Sequence, residues 1–125
     1  MKIACGTDII EINRIQDAIE KSGLRFLKEI YTDGEIEYCQ NKKNTKYEHY
    51  AARFAAKEAV FKAVYVLLEN KFELNWKQAE IKNDKFGKPY IIFHDVEFEN
   101  RIHSIDISIS HCKQYATAYV TMIYE

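Results

Sequence analysis

The chain has 125 residues, room for one compact domain spanning residues 1–125, which excludes a multidomain enzyme. Apolar residues make up 47% and charged residues 30%, with only four Gly and one Pro, a composition for a packed core rather than for disorder or linkers. Eighteen Lys and Arg against nineteen Asp and Glu leave a net charge of -1, so no global basic field points to nucleic acid or an acidic membrane.

Residues 3–12 alternate as a strand, with Ala4, Gly6, Asp8, Ile10 and Ile12 on one face and Ile3, Cys5, Thr7 and Ile9 on the other. Both faces are largely apolar, which predicts a strand covered on both sides. Asp8 arrives before a signal-peptide apolar region could form, and no apolar run approaches the roughly 20 residues of a membrane span, so the expected location is cytoplasmic. Asn13 caps a helix to about Lys21, with Ile15, Ala18 and Ile19 at helical spacing and Gly23 as its stop. An amphipathic stretch from Leu24 to Ile30 follows. Thr32 with Glu35 is a capping box that opens a third helix, and Lys42, Lys43, Asn44, Thr45 and Lys46 form an exposed basic loop.

The longest helical pattern runs from Tyr47 to Asn70, roughly 36 Å at about 1.5 Å per residue. Its alanines, among them Ala55, Ala59 and Ala63, let neighbours pack closely. Short alternating runs then predict strands at 79–82, 90–93, 105–111 and 115–124, the first two joined by a turn from Asp84 to Pro89. One strand, a group of helices and several strands make an α+β fold, an antiparallel sheet packed on a long central helix. The last strand offers Ala116, Ala118, Val120 and Met122 on one face and a half-apolar second face. A domain this small cannot cover both, which predicts an oligomer interface.

Cys5, Cys39 and Cys112 form no CxxC and no zinc-ligand spacing, so they read as reduced thiols. Asp8 lies among small and apolar residues, where an unpaired carboxylate is costly, and needs a cation: a lysine, an arginine or a metal. On the long helix, Arg53 with Lys57 and Glu58 with Lys62 are each one turn apart. That spacing alone describes a solvated face. Their neighbours are almost all small or apolar, however, so the helix is mostly buried and its charges need specific partners. His111 ends an apolar strand face after Ile105, Ile107 and Ile109, a position that suits a core histidine as well as a catalyst. A metal held by Asp8 and Glu58, with lysines and an arginine nearby, suits a diphosphate, because oxygen ligands select Mg²⁺ and Mg²⁺ binds substrate phosphate.

Gly6 to Ile12, the helix motif from Arg53 to Ala63, Gly87-Lys88-Pro89-Tyr90 and Ile107-Ser108-Ile109-Ser110-His111 together resemble holo-[acyl-carrier-protein] synthase, the short bacterial type of phosphopantetheinyl transferase. The match spans the whole chain in the right order. The resemblance implies the 4′-phosphopantetheinyl transferase fold and transfer of 4′-phosphopantetheine from coenzyme A to a serine of apo acyl carrier protein, for fatty acid biosynthesis. It implies Asp8 and Glu58 as Mg²⁺ ligands, Lys62 against the diphosphate, and Arg53, Lys57 and His111 lining the coenzyme site beside Gly87, Lys88 and Pro89. Glu58 is the first candidate for the general base and His111 the second. Homotrimers with sites between subunits are also implied. Relatives often carry a glycine-rich stretch after the helix motif; residues 64–70 have none. Asp33 stands where relatives often have a basic residue. Arg14, Lys21, Arg25 and Lys28 cluster in the first two helical stretches, a positive strip for the acidic carrier, with Asp17, Glu20 and Glu29 among them. The alternatives are a non-catalytic module binding coenzyme A or carrier protein, and a metal-dependent phosphohydrolase.

Overall fold

The computed structural model describes residues 1–69 and 74–125. In chain order it has strand β1 (Lys2–Glu11), helices α1 (Ile12–Ser22), α2 (Leu24–Ile30), α3 (Asp33–Gln40) and α4 (Lys46–Val64), the hairpin β2 (Ala79–Asn83) and β3 (Pro89–Phe93), and the hairpin β4 (Ile102–His111) and β5 (Tyr115–Tyr124). Short 3₁₀ turns at Lys43–Thr45, Tyr65–Leu67, Trp76–Gln78 and Glu99–Arg101 join them. The strands form two antiparallel sheets, β1-β5-β4 and β2-β3, rather than one. Among the described residues no helix is long and apolar enough to cross a membrane.

Helix α4 lies across one face of the three-stranded sheet. Its Ala55, Ala59 and Ala63 are fully buried in a cluster with Ala118, Val120 and Met122 of β5. The small side chains of α4 also let β1 come close, and at Gly6 strand and helix backbones meet with no room for a side chain. A Cβ on Gly6 would overlap the Ala59 carbonyl oxygen and come within 2.9 Å of the Ala63 nitrogen. A second cluster, with Ile15, Ile19, Leu27, Tyr31 and Tyr50, fills the space between α1, α2, α3 and the first half of α4.

The charges on α4 do find partners, as the sequence requires. Lys57 and Glu35 have side chains 0% exposed and lie 2.6 Å apart. Burial pushes the Lys57 ammonium pKa down, and the Glu35 carboxylate opposes this. Glu35 also closes the expected capping box, accepting from the Thr32 N–H at 2.9 Å, and takes the Ile81 N–H of β2 at 2.8 Å. One carboxylate thus joins α3, α4 and β2. Removing either charge would leave the other buried and unpaired, a loss on the order of 3–5 kcal/mol.

Three expectations change. Helix α1 begins at Ile12 without a side-chain cap, because the Ile12 N–H already donates to the Gln114 carbonyl at the end of the β1-β5 ladder, and Asn13 is not needed as a cap. Helix α4 ends at Val64, not Asn70: Tyr65–Leu67 tightens into a 3₁₀ turn and Leu68 is extended. The apolar run continues there because Leu67 and Leu68 turn into the core, and periodicity alone does not separate that turn from more helix. Asn70 itself lies outside the described residues. Finally, β1 is covered on one side only within the chain. Its outer face leaves Ile3 69% and Ile9 67% exposed beside the exposed Tyr115 and Tyr119 of β5.

The contact at Gly6 is testable. Gly6→Ala should destabilise the protein by about 3 kcal/mol or more in chemical denaturation, since the clash is with backbone that no rotamer can relieve. A change under about 1 kcal/mol would show that the strand and helix can separate freely.

Candidate active site

Two residues after Gly6, on the same face of β1, Asp8 emerges beside the second half of α4 with its side chain 17% exposed. Glu58 and Lys62, one turn apart on that helix, meet it there. The Lys62 ammonium donates to the Thr7 carbonyl at 2.8 Å and to Asp8 Oδ1 at 3.4 Å. Burial raises the Glu58 carboxyl pKa above its ordinary value, the Asp8 charge adds to the rise, and Lys62 works against it. Two carboxylates therefore converge with one lysine to offset them.

This donor set fits a hard dication. Both acidic groups are oxygen ligands, one resists ionisation in their present surroundings, and no third His, Cys, Asp or Glu joins them among the described residues. Mg²⁺ is commonly held by only one or two carboxylates, its other positions being left to water and substrate phosphate.

A second, mostly cationic cluster forms at the other edge of the sheet, where β4 ends. His111 Nδ1 lies 3.6 Å from the Glu48 carboxylate, and the rings of His111 and His49 are 5.6 Å apart. His49 in turn meets the edge of Tyr38 at 5.7 Å. The Arg53 guanidinium lies 3.8 Å over the Tyr38 ring centre, and the Lys42 ammonium is 4.8 Å from it. Burial lowers the His49 pKa, and Lys42, His111 and Arg53 push it further down. Arg53 is 4% exposed, yet its buried Nε has no hydrogen-bond partner among the described residues. Two cations beside one aromatic ring, Lys42 exposed and Arg53 buried, suit an anion with an attached ring system.

The structure separates these two clusters. Glu48 and Glu58 are ten residues apart on α4, roughly 15 Å along its axis. Of the residues singled out from the sequence, Asp8, Glu58 and Lys62 come together at one end, and Arg53 and His111 join the other cluster. Lys57 reaches neither, being committed to Glu35. Gly87, Lys88 and Pro89 lie at the β2-β3 turn, where the Lys88 ammonium pairs with Asp106 Oδ1 at 2.8 Å. Arg14, Lys21, Arg25 and Lys28 are all exposed on α1 and α2, with Lys28 3.3 Å from Asp33.

Sequence reasoning passed over Tyr38, His49 and Asn83, and took Glu35 only as a helix cap. The Glu35 contact spans 22 positions to Lys57 and 46 to Ile81, and no local pattern signals it. Asn83 had a signal, because it opens the turn from Asp84 to Pro89, but its bond to Arg53 is 30 positions away.

The family model of the 4′-phosphopantetheinyl transferase superfamily matches residues 4–120. The holo-[acyl-carrier-protein] synthase of Ruminiclostridium cellulolyticum is 43% identical over 126 aligned positions, covering 98% of this chain and 92% of that one. Among solved structures, a holo-(acyl-carrier-protein) synthase from Bacillus anthracis in complex with CoA (3′,5′-ADP) is 34% identical, with a TM-score of 0.79 and coverage of 98% of this chain and 96% of that one. The Helicobacter pylori holo-[acyl-carrier-protein] synthase in complex with coenzyme A is 30% identical, with a TM-score of 0.79 and coverage of 95% and 99%. Sequence and backbone thus agree over nearly the whole length, and the chain belongs to the 4′-phosphopantetheinyl transferase superfamily.

Proposed function

We propose that this protein is a holo-[acyl-carrier-protein] synthase, one domain over residues 1–125, that moves 4′-phosphopantetheine from coenzyme A to a serine of apo acyl carrier protein. The observation that carries the reading is the meeting of Asp8, Glu58 and Lys62 at the Gly6 contact, in a chain similar throughout to synthases of that name. Asp8 and Glu58 would hold Mg²⁺. When bound, the ion would offset charge on the coenzyme diphosphate.

The chain's own residues account for the rest. The serine Oγ bonds to the pantetheine-side phosphorus, the bond from that phosphorus to the bridging oxygen breaks, and adenosine 3′,5′-bisphosphate leaves. Lys62 lies where its ammonium can turn from Asp8 toward the departing phosphate. The serine proton needs a base at the site, and Glu58 is the first candidate to take it, with His111 the second. His111 stands one helix half away from Glu58 in the same chain. The second cluster, with Arg53, His111 and Lys42 around Tyr38, suits the adenosine and its 3′-phosphate.

The 3′-phosphate and the diphosphate of coenzyme A hang from one ribose, whereas Asp8 and His111 of one chain lie on opposite edge strands of the sheet, β1 and β4. We infer a homotrimer that joins the Asp8 end of one subunit to the His111 end of the next, burying the apolar outer face of β1 and β5. The site then lies in the cytoplasm, where coenzyme A and carrier protein meet.

Incubation with coenzyme A, Mg²⁺ and apo carrier protein, followed by intact mass, tests the reaction. Gain of phosphopantetheine on the carrier is expected; free phosphopantetheine alone would mean hydrolysis, and neither product a binding module. Asp8→Asn and Glu58→Gln should each abolish transfer. Because folding raises the Glu58 pKa, ionised Glu58 costs stability once the pH passes above its ordinary range. Glu58→Gln should therefore raise the Tm of metal-free protein at pH 7, and Mg²⁺ should stabilise the parent but not the variant. A lower Tm or retained transfer would overturn this assignment.

Ile9→Arg should shift the protein from trimer to monomer in sedimentation and abolish transfer; an active monomer would contradict the composite site. Reversing Arg14 and Arg25 to Glu should weaken carrier binding and flatten its salt dependence, which acts over a Debye length of about 8 Å at physiological salt. Affinity for coenzyme A should stay the same. Equal loss for both substrates would move the docking face elsewhere.

A further inference from the structure

The turn between β2 and β3 is closed four times by its own groups. The Asp84 N–H donates to the Lys88 carbonyl and the Gly87 N–H to the Asp84 carbonyl, each at 2.9 Å. The Asp84 carboxylate accepts from the Phe86 and Lys88 N–H groups at 2.8 and 3.0 Å. These bonds shape the turn but do not aim it. A two-stranded hairpin is marginal alone; its base is held by the buried Ile81 and the Glu35 bond to the Ile81 N–H, whereas this tip projects far enough to leave Phe86 85% exposed.

Two side-chain ties leave the turn: the exposed pair of Lys88 with Asp106 of β4, a surface contact that contributes little, and Asn83. Its Nδ2 donates to the Gly87 carbonyl at 2.9 Å, and its Oδ1 accepts from Arg53 Nη2 at 2.7 Å. A guanidinium can only donate and a carbonyl can only accept, so the amide has one workable orientation and both ends are used. Arg53 is itself held, buried on α4 with its guanidinium over Tyr38. A continuous path therefore runs from α3 through Tyr38, Arg53 and Asn83 to the backbone of the Gly87-Lys88-Pro89 turn. No other residue type reproduces it: Asp keeps the acceptor and loses the donor, Ala loses both, and Gln moves the amide outward by a methylene.

We propose that Asn83 is a positioning residue for the coenzyme site. It couples Arg53 on α4 to the Gly87 carbonyl, and so sets the distance between the turn and the cluster of Arg53, Tyr38, His49 and His111. The proposal rests on the reading that the turn and this cluster together receive coenzyme A. It assigns Asn83 no contact with the reacting atoms, so its loss should appear in coenzyme binding rather than in the chemical step.

Steady-state kinetics of Asn83→Ala, Asn83→Asp and Lys88→Ala, varying coenzyme A and apo carrier protein separately, test this. Asn83→Ala should raise the KM for coenzyme A about tenfold, the scale of one lost hydrogen bond to a charged group. The kcat, the KM for carrier protein and the trimer should be unchanged. Asn83→Asp should also raise it, by about threefold or more, the scale of one neutral hydrogen bond, because the bond to Gly87 is missing although Arg53 keeps its partner; it also serves if Asn83→Ala does not fold. A normal KM in Asn83→Asp, or equal losses in kcat and in both KM values, would overturn the proposal. If Lys88→Ala raises the KM for coenzyme A and the Asn83 variants do not, the turn belongs to the site but Asn83 does not position it. If none of the three raises it, the turn lies outside the coenzyme site and the proposal falls with that reading.

Discussion

The backbone contact between β1 and α4 at Gly6 is the constraint on which the arrangement of this molecule depends. With a hydrogen in place of a side chain, the strand lies against the Ala59 carbonyl and the Ala63 nitrogen. Asp8 then falls one pleat further along the same face, beside Glu58 and Lys62, the residues that precede Ala59 and Ala63 on the helix. A bulkier residue at position 6 would push the strand outward and carry Asp8 away from Glu58 and Lys62. The alanines of α4 serve the same end, since they give up side-chain volume so that the sheet can approach along the whole helix.

Four of the charges on α4 are resolved in different ways. Lys57 is neutralised inside the protein by Glu35, and Arg53 is divided between the face of Tyr38 and the amide of Asn83. Both serve to hold other elements against the helix. Glu58 and Lys62 face the Asp8 end, where two carboxylates are crowded together and incompletely offset. Such crowding costs stability in the absence of a cation, and perturbed groups of this kind cluster at functional sites. One helix thus combines structural and chemical charges within three turns.

The outer face of the three-stranded sheet follows a different logic. Its exposed Ile3, Ile9, Tyr115 and Tyr119 lie opposite the face that α4 covers, so the helix cannot shield them. The two charged clusters are on the helix side but at opposite edges of the sheet. Under the proposed function, packing the open faces of several copies together would bring unlike edges side by side. Burial of apolar surface and completion of the site would then be one event.

Much of this was legible in the sequence because it is local. Period-two alternation marked β1, β4 and β5, the Thr32 and Glu35 capping box marked α3, and the alanine-rich run marked α4 as a mostly buried helix whose charges needed partners. Asp8, Glu58 and Lys62 stood out because ionisable groups among small and apolar neighbours are costly without a cation. Tertiary structure decided the rest. The sequence does not tell which partner satisfies Lys57, that Arg53 reaches Asn83, or that His49 joins His111, since each pairing spans from 22 to more than 60 positions. Nor does it stop α4 at Val64, because a 3₁₀ turn that buries Leu67 keeps the helix's apolar rhythm. Spacing along the chain determines which face a residue occupies; what lies across from that face is set only when distant elements pack.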